Sequence, residues 1–143
     1  MQPGIALVTG CSSGIGLELA QQLARQGWTV YAGARRPESL QALANERLLP
    51  VQLDVNAPEQ IGQCFARIER EAGHLDLLVN NAGYGAMGPI VEMPLAELRR
   101  QFETNVFAPL ALVQTLLPLL QKSSQARVVN IGSISSIVTT PFS

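Results

Sequence analysis

Charged residues are scarce in this chain of 143 residues, because Asp, Glu, Lys and Arg together make up only 15% of it. Soluble domains average about 25%. So low a share favours a fold with much buried surface, such as a parallel sheet covered by helices on both faces. The formal net charge is −1 and the basic residues are scattered, which excludes the positive field that attracts nucleic acid or anionic lipid.

Cysteine and histidine are scarce as well. Cys11 and Cys64 lie far apart and form no Cys-x-x-Cys or Cys/His spacing, so neither a disulfide framework nor a zinc site is expected. Reduced thiols are typical of a cytoplasmic protein, which is the location we predict. The only histidine, His74, lies in a turn and is interpreted as a solvated residue rather than a metal ligand.

The sequence also lacks the signals of secretion and membrane insertion. No positively charged segment precedes the first apolar run, at residues 5–8. The longest apolar stretch, residues 106–120, is interrupted by Pro109, Gln114, Thr115 and Pro118. It is too short and too interrupted for a membrane span, and none is expected.

What the sequence does contain is a regular alternation of apolar runs with segments of helical periodicity. Five runs have the length of buried strands, at residues 5–9, 28–34, 49–53, 75–79 and 127–131. Helices are predicted to begin near Gly14, Pro37, Pro58 and Pro94. This order predicts an α/β fold, a doubly wound parallel sheet of the Rossmann type, in one domain over residues 1–143.

A glycine-rich turn, TGCSSGIG at residues 9–16, lies between the first predicted strand and the first predicted helix. Its glycines let the backbone turn tightly and approach a phosphate. The helix N-terminus adds free N–H groups and the positive end of the helix dipole. In this context the turn is predicted to bind the pyrophosphate of a dinucleotide, with an ordinary strand-to-helix turn as the alternative.

Together with four later motifs, this turn resembles the fingerprint of the short-chain dehydrogenase/reductase family. The four motifs follow the family's order along the chain, as Leu53-Asp54-Val55, NNAG at 80–83, TNV at 104–106 and VNIGS at 129–133. The resemblance implies hydride transfer between a nicotinamide cofactor and a carbonyl or alcohol substrate. TGCSSGIG and VYAGARR are similar to the branch that contains hydroxysteroid, retinol and acyl-dihydroxyacetone-phosphate reductases, which favours an apolar substrate.

The resemblance assigns cofactor-binding roles to three segments. Residues that shape or line the pyrophosphate turn are Gly10, Ser12, Ser13, Gly14, Ile15 and Gly16. Residues implied at the adenine are Asp54, which accepts from its amino group, and Val55, which packs beside the ring. Residues implied beneath the ribose on the nicotinamide side are Asn81, Ala82 and Gly83, with loop capping as the alternative role of the asparagine.

The choice between NADP and NAD depends on the end of the second predicted strand. An acidic residue there would bond the ribose 2′-hydroxyl of NAD. This chain has Arg35 and Arg36 instead, and a guanidinium can pair with the 2′-phosphate of NADP. We therefore predict NADP(H) rather than NAD, with Arg35 as the main contact. Two solvated surface arginines are the alternative.

Two residues are implied to take part in catalysis. Ser133 would hydrogen-bond the substrate carbonyl or hydroxyl, with Ser135 and Ser136 as alternative assignments. Asn105 would hold a water of the proton relay through its main-chain carbonyl. Pro109 has no N–H to bond that carbonyl, so the helix is expected to kink there and leave the carbonyl available. Alternatively, Pro109 only bends the helix so that it packs well.

The family's tyrosine, with a lysine four residues later, is missing. Tyr31, Tyr84 and Lys122 are the only residues of these types, and none has the required spacing. We therefore expect a sheet truncated after its fifth strand, without the last strands and the substrate loop, and no turnover by these 143 residues alone. A non-catalytic NADP-binding module, a regulatory fragment and an interaction fragment without cofactor affinity stay open as alternatives.

The fourth predicted helix carries a long apolar stripe. Its members are Leu95, Leu98, Phe102, Val106, Leu110, Val113, Leu117 and Leu120. The resemblance implies that this helix packs against a partner subunit, so we expect a homo-oligomer. A fifth strand without a neighbour would add an exposed apolar edge that favours self-association.

Overall fold

The computed structural model describes residues 2–138, which form one sheet with helices on both faces. Its strands are β1 (Ile5–Val8), β2 (Thr29–Ala34), β3 (Leu48–Gln52), β4 (Leu77–Asn80) and β5 (Arg127–Asn130). Every pair is parallel, and the order is β3-β2-β1-β4-β5. This is the predicted doubly wound α/β arrangement, in which the strand order reverses beside β1. The predicted domain and the tail extend beyond the described residues.

Four α-helices connect or cover the strands: α1 (Gly14–Arg25), α2 (Pro58–Glu71), α3 (Leu95–Phe102) and α4 (Ala108–Leu120). The short predicted helix after the second strand is a 3₁₀ helix, Pro37–Leu43. Proline is the first residue of that segment and of α2, because its fixed φ suits the first helical turn and its missing N–H is not needed there.

The core lies on both faces of β1. Leu7 joins the layer between the sheet and the helices α2 and α4, whereas Ala6 and Val8 join the layer beneath α1. All three are fully buried. Successive side chains of a strand point to opposite faces, so the continuous apolar run of β1 is what a strand covered on both sides requires.

The fourth predicted helix is one continuous helix, Leu95–Leu120, with a π-helical turn (Glu103–Phe107) between α3 and α4. The predicted stripe does not form its core face. The exposed large residues, 45–66% accessible, are Leu95, Phe102, Val106, Leu110 and Leu117. The buried residues of α4 are Ala108, Leu112, Leu116, Leu119 and Leu120. Leu95 and Phe102 are already exposed before the π turn begins, and α4 carries apolar residues on more than one side. Apolar spacing alone therefore does not identify the face that packs against the core.

By length and composition, Leu95–Leu120 could cross a membrane, with 26 residues and a mean hydropathy of 1.2. The prolines that interrupt the apolar stretch in the sequence do not interrupt the helix. The α4 part of this helix packs against α2, β4 and β5, whereas α3 has no buried residue. At the far edge of the described sheet, all four residues of β5 are exposed, as expected for a strand with one neighbour.

Candidate nucleotide-binding and catalytic site

The glycine-rich turn leads from the end of β1 into α1. Gly10 and Gly14 have φ values of +70° and +60°, in the left-handed region that favours glycine. A Cβ on Gly16 would overlap Nδ2 of Asn81 and lie 2.5 Å from the carbonyl oxygen of Gly10. The turn is therefore folded too closely against its surroundings to accept a side chain at residue 16.

The N-terminus of α1 is open to solvent. Ser13, the capping residue, makes no side-chain capping bond, and the first turn contains no acidic residue. Ser12, Ser13 and Gly14 are exposed, and Ile15 is 65% accessible. The first N–H groups of a helix have no intrahelical acceptor, and the dipole favours negative charge near them. This helix end can therefore receive a phosphate.

Thr9 ties the glycine turn to the loop that follows β4, a role that the sequence analysis did not assign. Its buried hydroxyl accepts hydrogen bonds from the N–H groups of Asn81 (3.0 Å) and Ala82 (2.9 Å). In return, Nδ2 of Asn81 donates to the carbonyls of Thr9 (2.9 Å) and Gly10 (3.2 Å). Thr9 is the first residue of the TGCSSGIG motif, but nothing local in the sequence specifies its hydrogen-bond partners.

Asn105 holds the next part of the same loop. Its Oδ1 accepts from the amide of Tyr84 at 3.1 Å, and its Nδ2 donates to the carbonyl of Tyr84 at 2.8 Å. The residue lies in the π turn, where the amide of Ala108 donates to the carbonyl of Glu103, five residues back. The helix thus has π geometry immediately before Pro109, whereas the kink and the available Asn105 carbonyl stay predictions.

Ser133 follows β5 directly and precedes a short 3₁₀ segment, Ile134–Ser136. Its hydroxyl oxygen accepts a hydrogen bond from the amide of Ser135 at 3.2 Å. Ser133 and Ser135 both line a cleft of about 1110 Å³ at the carboxyl ends of the strands. The cleft brings together six of the predicted site residues: Ile15, Asn81, Ala82, Gly83, Asn105 and Ser133.

The remaining predicted site residues lie outside this cleft. Arg35 and Asp54 follow the neighbouring strands β2 and β3, where the amide of Leu53 donates to the carbonyl of Ala34 at 2.9 Å. Arg35 is exposed and makes no hydrogen bond or ion pair with the residues that the structure describes. Val55 is 7% accessible and belongs to the core.

The turn that follows β3 is held by hydrogen bonds between side chains and backbone amides. Oδ1 of Asp54 accepts from the amide of Asn56 at 2.9 Å, and the amide of Asp54 donates to Oε1 of Gln60 at 2.7 Å. On the other side, the amide of Cys11 donates to the carbonyl of Gly33 at 2.8 Å, which places the glycine turn beside the end of β2. Arg35, Asp54 and the turn therefore lie along one edge of the sheet.

Two further asparagines line the cleft. Nδ2 of Asn80 donates to Oδ1 of Asn130 at 2.8 Å, across the ends of β4 and β5. Oδ1 of Asn80 is buried and has no partner among the described residues. Sequence reasoning missed Asn130, because the pairing of these amides depends on the register of two strands that lie 50 residues apart.

The thiols take no part in the site. Burial raises the pKa of both Cys11 and Cys64 to about 12, so both stay protonated at neutral pH. Between residues 2 and 138, no three His, Cys, Asp or Glu side chains are grouped closely enough to hold a metal ion.

A parallel sheet with a glycine turn at the switch point of its strand order is the architecture of dinucleotide-binding domains. This chain belongs to the short chain dehydrogenase family, because the family's sequence profile matches residues 4–143.

Known relatives match 94–99% of this chain, which covers about half of each of them. It is 40% identical to human retinol dehydrogenase 8, over 94% of this chain and 46% of that protein. It is 39% identical to the NADPH-dependent 1-acyldihydroxyacetone phosphate reductase of Saccharomyces cerevisiae, over 96% of this chain and 48% of that enzyme. A crystal structure of a short-chain dehydrogenase from Streptomyces avermitilis is similar with a TM-score of 0.90 and 36% identity, over 99% of this chain and 53% of that one. The chain spans about half the length of the curated relatives that it matches.

Proposed function

We propose that these residues form the NADP(H)-binding part of an oxidoreductase that interconverts a carbonyl and an alcohol by hydride transfer. Membership of the short-chain dehydrogenase family supports the reaction class. The observation that carries the proposal is the cleft, which runs from Ile15 at the phosphate-binding turn to Asn105 and Ser133. A cofactor that lies along this path would present its nicotinamide ring beside the serine.

The turn fits the pyrophosphate of such a cofactor. Phosphate oxygens would accept from the N-terminus of α1, with Ser12 and Ser13 beside them, and the absence of a side chain at Gly10 and Gly14 leaves room for the approach. Asp54 and Val55 would bound the adenine at the end of β3. The nicotinamide ribose would lie on the loop of Asn81, Ala82 and Gly83, whose position the hydroxyl of Thr9 fixes.

Arg35 supports NADP(H) over NAD(H). It is exposed directly after β2, and no carboxylate among the described residues forms an ion pair with it. A phosphate dianion is a better partner for such a guanidinium than a neutral hydroxyl. The yeast relative is named as NADPH-dependent, which agrees with this assignment.

When bound, the cofactor supplies or accepts the hydride, and this chain's residues orient the reactants. Ser133 would donate a hydrogen bond to the substrate oxygen, and the main-chain carbonyl of Asn105 would hold a relay water. The apolar wall of the cleft, which includes Met87, Val106 and Leu110, favours an apolar substrate. Two relatives named for retinol and for an acyl compound support the same class.

The proton-transfer pair of the family is absent from the 143 residues, since no tyrosine is followed by lysine at the fourth position. We therefore expect these residues to bind NADPH without reducing a ketone by themselves. We also place the protein in the cytoplasm as a homo-oligomer, with Phe102 and Leu117 on the exposed face of the long helix at the contact between subunits.

Titration of the purified chain with NADPH and NADH tests the proposal. We expect NADPH to bind at least about tenfold more tightly, because a charge-assisted hydrogen bond contributes about 1.5–3 kcal/mol. Arg35→Ala should remove this preference and leave the affinity for NADH within about twofold of its original value. Arg99→Ala is the matched control, because it removes an exposed arginine from α3. Equal affinity for the two cofactors contradicts the NADP assignment, and no binding of either contradicts the proposed function.

A further inference from the structure

A second cavity, of about 540 Å³, adjoins the cleft that contains Ser133. We call it the tail groove, and it is formed by the loop after β4 and by α3. Its lining residues are Ala86, Gly88, Pro89, Ile90, Val91, Met93, Leu98 and Gln101. Ala86 and Gln101 also line the cleft, so the two cavities meet at these two residues.

The tail groove has the chemistry of an apolar binding surface. No residue of its lining is charged, and Gln101 is its only polar side chain. Ile90 and Val91 are 72% and 90% accessible, so they expose apolar area to water without a partner inside the described part of the chain. Contiguous exposed apolar surface next to a cleft is typical of a ligand-binding groove.

The loop that forms the groove is fixed at its start, and its later part is closed by a turn of its own backbone. At its start, Asn105 bonds both backbone groups of Tyr84, and Nε of Arg100 donates to the Tyr84 hydroxyl at 3.0 Å. The Arg100 guanidinium also lies over the Tyr84 ring, 5.3 Å from its centre. Near its end, the amide of Met93 donates to the carbonyl of Pro89 at 3.1 Å. These contacts order the start of the loop without a ligand, which lowers the entropic cost of binding.

We propose that the tail groove binds the extended alkyl or polyene chain of a substrate whose carbonyl lies at Ser133. The small side chain of Ala86 lets the chain pass from the cleft into the groove, where Ile90, Met93 and Leu98 contact it. The inference rests on the proposed function for the position of the carbonyl, and it narrows the substrate class to long single-chain ketones, aldehydes or alcohols.

The test uses methyl ketones with straight chains of six, eight and ten carbons, titrated calorimetrically into the 143-residue chain with and without saturating NADPH. Affinity should rise about two- to fourfold for each added methylene, as expected for burial of one such group. Camphor, a compact ketone with ten carbons, should bind at least about tenfold more weakly than the straight ketone of equal carbon number.

Two variants separate the groove from the cleft. Ala86→Phe should close the junction and abolish the gain with chain length. Leu98→Asn should reduce the gain without blocking the junction. Ala96→Phe is the matched control, because Ala96 is exposed on α3 and lines neither cavity.

The inference is overturned if affinity does not rise with chain length, if camphor binds as tightly as its straight-chain counterpart, or if Ala86→Phe preserves the gain. These outcomes differ from a failure to bind NADPH, which contradicts the proposed function. If NADPH does not bind, the ketone titrations without cofactor still show whether affinity rises with chain length.

Discussion

One polar side chain holds each end of the paired strands β1 and β4, but the two ends differ in which nearby polar groups stay available to a ligand. At the carboxyl end, the Thr9 hydroxyl holds the loop after β4 against the glycine turn. At the amino end, the Asp76 carboxylate accepts from the Ile5 amide at 2.7 Å and the Ser123 hydroxyl at 2.6 Å, and it pairs with Nε2 of His74 at 3.2 Å.

At the amino end, the Asp76 carboxylate is the shared partner of all three groups named above. At the carboxyl end, the hydrogen bonds of Thr9 and Asn81 use only groups that shape the two loops. They leave the N-terminus of α1 and the Arg35 side chain available to a ligand. Ligands of doubly wound folds bind outside the carboxyl ends of the strands. The difference indicates that polar groups at the amino end serve stability and that those at the carboxyl end serve both stability and binding.

Gly16→Ala should have the largest effect on stability and cofactor affinity, because it disrupts the contact between the glycine turn and the loop after β4. The new Cβ would overlap the Asn81 amide and press on the carbonyl of Gly10, neither of which can move freely. We expect a loss of about 3 kcal/mol in the free energy of unfolding, as for an overpacked core site. Displacement of the turn should weaken NADPH binding about 100-fold. Urea unfolding and cofactor titration measure the two effects.

Gly62→Ala is the control for this substitution. Gly62 lies inside α2, and a Cβ there would meet no atom within 4 Å. Alanine should stabilise the helix by about 0.5–1 kcal/mol and leave cofactor affinity unchanged. If both alanine variants behave alike, the close contact at Gly16 does not constrain the turn.

Thr9→Val should have the next largest effect. It keeps the shape of the side chain but removes the acceptor for the amides of Asn81 and Ala82. A buried N–H without an acceptor costs about 1–3 kcal/mol, so we expect a loss of about 2 kcal/mol together with weaker NADPH binding. Thr9→Ser keeps the hydroxyl and should cost about 1 kcal/mol, with affinity preserved. A serine variant as impaired as the valine variant would show that the methyl group matters more than the hydroxyl.

The fold could be predicted from the sequence because its signals are local. The first and last residues of each strand lie within two residues of the ends predicted for its apolar run. The ends could be predicted because glycines, prolines or polar residues follow such runs. Pro58 begins α2 as predicted. The cleft also gathers Asn105 and Ser133 with the loop of Asn81, Ala82 and Gly83, which were singled out by motif.

What the sequence did not reveal depends on contacts between distant segments. The face of the long helix that meets the core depends on how α2 and the sheet lie against α4, which the spacing of its apolar residues does not specify. The hydroxyl of Thr9 and the backbone of Tyr84 find partners 72 and 21 residues away. No local pattern specifies such pairs. The tail groove depends in the same way on how the loop after β4 lies against α3.

Asp76→Asn should have the smallest effect and should act at the amino end alone. Asparagine keeps the size of the side chain but weakens three interactions that involve a charge, so we expect a loss of about 1 kcal/mol at pH 7. Because β1 and β4 remain paired, NADPH affinity at pH 7 should stay within about twofold. A large loss of affinity would show that the two ends of the strands are coupled rather than separate.

The pH dependence of the same variant identifies the carboxylate as the cause. Burial raises the pKa of Asp76, but hydrogen bonds from Ser123 and the Ile5 amide, together with His74, hold it below its usual range. In the unfolded chain its pKa is about 3.9. A carboxylate whose pKa is lowered by folding contributes its full stability above the unfolded value and loses it as the pH falls through the folded value. The stability difference between the original chain and Asp76→Asn should therefore shrink as the pH falls below about 4. Other acidic groups titrate in both proteins and cancel in this difference, so a difference that stays the same at pH 3 would show that the shape of residue 76, and not its charge, holds the amino end together.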